Sequence, residues 1–238
     1  MARLQQLILA LVFLTRLPLG RFLPPKVLPL ADAAWAFPVA GAIVGAIAGI
    51  PLWLGHGLLP AALAVTLAVW LTGALHEDAL ADFADAGGGH DRADRLRIMR
   101  DSTTGSFGAA ALVCAMLIRV VALSELGPMA LIAAATAGRL APVLLMQTMP
   151  PARSDGLGQG AGRPGRAACA VAAGLAALVV MLATGITGVL AAMLIVPVVA
   201  WMGARRALRL VGGQTGDVLG AVVLVTEIAL LATLALTA

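Results

Sequence analysis

The chain has no tyrosine, only two cysteines, and few charged residues: 12% of its 238 residues are Asp, Glu, Lys or Arg. A soluble globular protein carries about a quarter. With four Trp and five Phe, there is no aromatic platform on which nucleic-acid bases could stack, so no nucleic-acid partner is expected. Cys114 and Cys169 stand far apart without a CxxC spacing, and read as inert thiols packed in or near helices. What remains is 61% hydrophobic, with a mean hydropathy of +1.00. That composition excludes a soluble domain and indicates one integral membrane domain over residues 1–238. The formal net charge of +4 comes from loop arginines and suits anionic lipid or phosphate rather than DNA.

Residues 4–14 form an apolar run too short for a crossing, which takes about 20 helical residues. No clear small-x-small cleavage site follows, so an uncleaved interfacial or re-entrant helix is expected. Arg16, Arg21 and Lys26 come next, among prolines 18, 24, 25 and 29 that mark a loop. A first span is expected over 36–59, where Gly41, Gly45 and Gly49 bare one helix face to a close neighbour. A second covers 61–75. Beyond the polar stretch 76–108, helix pairs are expected at 107–126 with 128–149, and at 167–184 with 186–203, and a last helix from about 218. The turns near 55–60, 124–128 and 184–188 contain no Lys or Arg, whereas the alternate loops hold the basic residues. By the positive-inside rule, the N-terminus, the polar stretch and the 150–166 and 204–217 loops face the cytoplasm. The predicted fold is an all-α polytopic bundle of about seven transmembrane helices plus the N-terminal helix. It is expected to lie in a membrane with that face toward the cytoplasm, surrounded by lipid, and is compatible with a homo-oligomer.

The stretch from His76 to Gly108 holds seven of the twelve acidic residues. Asp78, Asp82 and Asp85 are spaced i, i+4, i+7, which puts them within about 60° of one another on a helix. Like charges so placed repel, and a hard divalent cation would reverse that penalty; oxygen ligands suit magnesium, with substrate phosphates completing its shell. The bland alternative is a solvated acidic helix end. His76 lies opposite this face and could act as a base or orient a substrate. Gly87-Gly88-Gly89 reads as a mobile link, and His90 beside it as solvated loop. Arg95, Arg97, Arg100 and Asp101 precede Ser102-Thr103-Thr104-Gly105 at the start of an apolar helix. That pattern fits an anion site built from guanidinium groups and helix amides, or else an N-cap with positive-inside arginines. Gly212-Gly213-Gln214-Thr215-Gly216-Asp217 opens the last helix in the same manner; no Gly-Lys-Ser/Thr follows, so it is not a Walker loop. Arg119, Arg139 and Glu227 fall inside spans, where a charge is costly, and Glu227 pairing one of the arginines would neutralise both. A carboxylate cluster at a membrane face with arginines and two glycine-rich helix starts suits phosphoryl transfer.

At these residues the chain resembles the cobalamin synthase (adenosylcobinamide-GDP ribazoletransferase) family. The family motif H-x-D-G-L-A-D-x-x-D-G is matched by His76, Asp78, Leu80, Ala81, Asp82 and Asp85, with Ala79 and Ala86 in place of two glycines. Its I-M-R-D-S-x-x-G-x-x-G segment is matched by Ile98 to Ser102, Gly105 and Gly108, and its G-G-x-T-G-D-x-L-G-A segment by Gly212 to Ala221. Thr15–Pro18 and Phe37–Gly41 match shorter pieces. The resemblance implies a magnesium-dependent membrane enzyme that joins adenosylcobinamide-GDP to α-ribazole or its 5′-phosphate and releases GMP, late in vitamin B12 assembly. It implies Asp78, Asp82 and Asp85 as metal ligands, with Asp101 or Asp217 joining them or serving as base, and His76 in a catalytic role. Arg100, Ser102, Gly105, Gln214, Thr215 and Gly216, with Arg16 and Arg139, are the residues it suggests for gripping substrate. Two other readings compete. A CDP-alcohol phosphotransferase would need a longer aspartate pattern followed by Ala-Arg, which is absent. A cation transporter would place its carboxylates near the bilayer midplane between broken helices, whereas only Glu227 lies deep.

Overall fold

The computed structural model describes residues 2–25, 29–154 and 160–238. Lys26 and the middle of the 150–166 loop lie outside the described residues. Helix α1 (Ala2–Leu14) is 13 residues long, about 20 Å at 1.5 Å per residue, and too short to cross. It docks instead through Ala10, Leu11 and Leu14, which are buried, while Gln6 accepts a hydrogen bond from Trp35 Nε1 at 2.8 Å. The first crossing is Leu30–Ala48, built from α2 (Leu30–Ala33), a 3-10 turn and α3 (Phe37–Ala48). It ends about ten residues earlier than expected because Pro51, which has no N–H, starts a separate short helix, α4 (Ile50–Leu54).

Helix α5 (Leu58–Thr72) stops at Gly73 and Ala74, both in the left-handed region with φ of 66° and 59°. The chain then bends by 87° into α6 (Leu75–Asp85), so the acidic helix does not continue the second span in a straight line. Glycine is needed at 73 for a second reason: a Cβ there would collide with the Arg16 side chain. The exposed α7 (Arg92–Ile98) follows, capped by Asp91, which accepts the Asp94 amide at 2.9 Å. The expected pair α8 (Ser106–Glu125) and α9 (Pro128–Thr148) turns at Gly127 as predicted.

Helix α10 (Arg166–Val211) would be 46 residues long, but Gly185 has φ 68° and ψ −164°. A Cβ on Gly188 would lie 3.5 Å from Val180 Cγ1, where a straight helix would separate the two residues by about 12 Å. The chain therefore folds back at Gly185, the turn expected between 184 and 186. Its second arm runs eight residues past the expected end, carrying exposed Arg205, Arg206 and Arg209 beyond the apolar stretch. The last helix, α11 (Gly216–Thr237), is capped by Thr215, whose Oγ1 accepts the Val218 amide.

By length and composition, five of the described helices can cross a membrane, and the bent α5–α6 pair makes six. Dividing α10 at Gly185 adds one, giving seven. Helix α9 is central. Gly41 of α3 packs on the Ala135 carbonyl, Gly45 would place a Cβ 2.6 Å from Ile132 Cα, and Gly49 meets Pro128, so the glycine face does admit a close neighbour. The basic loops meet at one end of the bundle. There Ala31 N donates to Ala161 O at 2.8 Å, Gln214 N to Pro150 O at 2.9 Å, and Arg92 Nε to Val211 O at 2.8 Å.

Candidate active site

The right-angle bend at Gly73-Ala74 lays α6 against α8 and α11, and this splits the acidic face. Asp78 is exposed and Asp82 half-buried. Asp85 is buried, and its two oxygens accept the amides of Gly105 at 2.7 Å and Gly108 at 2.8 Å. The expected three-carboxylate metal face is therefore not built: Asp85 serves as the anion at the start of α8. Among the described residues, no group of three or more His, Cys, Asp or Glu side chains is placed to hold a metal ion.

A carboxylate from the far end of the chain comes near instead. Asp217, in the first turn of α11, lines the same cavity of about 220 Å³ as His76, Asp78 and Gly216. Thr215 Oγ1 donates to Asp217 Oδ2 at 3.2 Å, which fixes the carboxylate against the helix cap. The negative charges of Asp78, Asp217, Asp85 and Asp101 all bear on Asp82, while the Arg153 guanidinium attracts Asp217. Gln214 is buried and shares a parallel bridge with Pro151, its carbonyl accepting Ala152 N at 2.8 Å. It thereby ties the last loop to the 150–154 segment. Its Oε1 has no hydrogen-bond partner.

The expected anion site at residues 95–105 is largely committed to the fold. Arg95 donates to Gly89 O at 3.1 Å and Leu210 O at 3.4 Å, which ties the end of the triglycine segment to α7 and α10, while Gly87 and Gly88 are exposed. Arg92 donates to Ala152 O as well as Val211 O. Arg97 pairs with Asp94 at 2.7 Å, and the Gly105 amide belongs to Asp85. Arg100, Asp101 and Ser102 are exposed. Hydrogen bonds from the Thr103 hydroxyl and amide hold the Asp101 carboxyl below its usual range. Arg16 is exposed beside Gly73, at the same end of the bundle.

Arg139 lies elsewhere than a substrate contact requires. It is 2% exposed and donates to Glu227 Oε2 at 2.7 Å and Ala135 O at 3.2 Å. Glu227 Oε1 accepts Arg119 Nη2 at 2.8 Å, and Arg119 Nη1 donates to Glu77 Oε1 at 2.8 Å. Two carboxylates and two guanidiniums thus close a neutral chain through α6, α8, α9 and α11. Glu227 pairs both intramembrane arginines, not one. Glu77 completes the balance although the sequence offered it only as one acid among seven. Its signal is its place beside His76 on the buried side of α6. Arg153 was legible only as a loop arginine.

No solved structure matches this chain. A family model described as cobalamin-5-phosphate synthase matches residues 6–235. The chain is 44% identical to the adenosylcobinamide-GDP ribazoletransferase of Azorhizobium caulinodans over 93% of its own length and 92% of the relative's. It is 46% identical to the protein of that name from Xanthobacter autotrophicus, over 91% and 90% of the two chains. It is 40% identical to that of Bradyrhizobium diazoefficiens, over 94% and 90%. With the aspartates, the Thr215 cap and the glycine approaches all inside the matched span, the chain belongs to the cobalamin-5-phosphate synthase family.

Proposed function

We propose that this chain transfers the adenosylcobinamide phosphate group from adenosylcobinamide-GDP to α-ribazole or its 5′-phosphate, releasing GMP and completing the nucleotide loop of cobalamin. The observation that carries the chemistry is the meeting of Asp78 and Asp217, from opposite ends of the chain, at one cavity beside Asp82. A ribose hydroxyl of the acceptor attacks the phosphorus that bears the cobinamide. The bond from that phosphorus to the GMP phosphate breaks, and the hydroxyl proton passes to Asp217, whose carboxylate Thr215 orients. Arg16 and Arg100, exposed at the same end, are suited to the phosphates of the donor.

The donor set suits magnesium as a partner of the substrate and not as a caged ion. Asp85 is committed to two amides, which leaves Asp78 and Asp82 as ligands, and magnesium commonly takes one or two carboxylates with substrate phosphates and water. When bound, it would offset charge on the diphosphate and its leaving group. The basic loops that surround the site suit a cytoplasmic face of the inner membrane.

The test is GMP release by the purified chain with adenosylcobinamide-GDP, α-ribazole 5′-phosphate and magnesium, beside Asp82→Asn. Release by the wild type and a loss of about 10²-fold or more in a folded variant is the expected result. No release from folded wild type with either ribazole form would overturn the reading.

A further inference from the structure

The cavity that carries Asp78 and Asp217 at its edge is otherwise apolar. Phe13 of α1 and Phe37 of α3 stand on its wall with ring centroids 6.1 Å apart and planes 23° from parallel, and Met146 and Val223 close it from α9 and α11. One polar group breaks this lining. His76 is 3% exposed, and its Nε2 has no hydrogen-bond partner. A buried polar atom left so is costly, and a ligand that supplies its partner removes that cost.

Size and polarity narrow the ligand. An apolar cavity of about 150 Å³ holds a benzene ring, so one of about 220 Å³ holds a fused two-ring heterocycle. It is too small to enclose a whole nucleotide or a tetrapyrrole. A lipid acyl chain would fill the apolar space but leave the His76 nitrogen without a partner.

We infer that this cavity seats the planar base of the ribazole acceptor, with Phe13 and Phe37 along its apolar wall and His76 Nε2 hydrogen-bonded to a ring nitrogen. The ribose then emerges beside Asp78 and Asp217, its hydroxyl turned toward the donor phosphate. His76 is on this account a positioning residue for the acceptor and takes no proton from it. The identity of the occupant rests on the transferase reading; the cavity and its unpartnered nitrogen do not.

Calorimetric titration of α-ribazole into the full chain in lipid nanodiscs, with no donor and no magnesium present, tests this apart from turnover. Leu75 lies at the cavity and is 36% exposed, so Leu75→Trp can partly fill it without burying a misfit, and Met146→Phe fills it from inside. Both are expected to weaken α-ribazole binding about tenfold or more while adenosylcobinamide-GDP binding is unchanged. The wild type is expected to favour α-ribazole over an indole riboside, which lacks the acceptor nitrogen, by about tenfold. His76→Leu should abolish that preference, and His76→Gln should retain part of it. Undiminished α-ribazole binding in folded Leu75→Trp, or an intact preference in folded His76→Leu, overturns the proposal even if GMP is released. Binding that weakens as expected in a chain that releases no GMP supports the cavity and sinks the transferase reading instead.

Discussion

Asp85 and Gly108 are joined by a hydrogen bond of 2.8 Å from the Gly108 amide to Oδ1, and the Gly105 amide reaches the other oxygen at 2.7 Å. This pairing makes Asp85 a structural anion although it sits in the same motif as Asp78 and Asp82. Asp85→Ala leaves the Gly105 amide and the buried Gly108 amide at the start of α8 without their acceptor, and the expected loss is about 1–3 kcal/mol of stability. Thermal unfolding in detergent should show a clear fall for Asp85→Ala and almost none for Asp82→Asn, with the opposite order in GMP release at low temperature.

Glu227 answers two arginines. Glu227→Gln leaves Arg139 buried without a counter-charge, and breaking a buried pair from one side costs about 3–5 kcal/mol. Adding Arg139→Met restores neutrality to what remains, Glu77 with Arg119. Denaturation of the double variant should recover a good part of the loss; strictly additive effects would mean that the two side chains do not act as a pair.

Gly73→Ala meets two obstacles, a left-handed backbone and the Arg16 side chain. The backbone term alone is about 1–2 kcal/mol. Arg16→Ala in the same chain should relieve the collision and not the backbone term, so unfolding measurements should show partial rescue.

Chelation separates a caged metal from one carried in on substrate. With only Asp78 and Asp82 left to touch magnesium, EDTA is expected to stop GMP release while the melting temperature stays within about 1 °C, since binding stabilises only what it occupies. A fall of several degrees would point to an ion built into the fold.

The loops and helix pairs were legible because lipid leaves few choices: backbone groups must be paired within helices, so apolar runs between arginine-bearing loops became crossings. The glycine face on α3 was legible for the same reason. What misled was the second span. Leu58–Thr72 reads straight on into the acidic stretch, and nothing in the letters Gly73-Ala74 requires two successive left-handed residues, over which the Arg16 side chain lies. Once α6 is turned by 87°, helical spacing no longer decides which aspartates act together. Asp85 is drawn to the α8 amides, and Asp217 arrives from the far end of the chain. Glu77 was hidden by its neighbours, since an acid among acids gives no sign that its partner is an arginine 42 positions later.

The neutral chain of Glu77, Arg119, Glu227 and Arg139 also bears on how the protein is made. Synthesis delivers Glu77 and Arg119 first, then Arg139, and Glu227 only with the last helix. A nascent chain that ends before Gly216 therefore carries one unmatched positive charge at a depth where such a charge costs about 2.5–3.5 kcal/mol or more. The bundle cannot settle fully into lipid until its final segment leaves the ribosome, so α11 acts as the latch of assembly, and nonsense truncations within it should be cleared by membrane proteases.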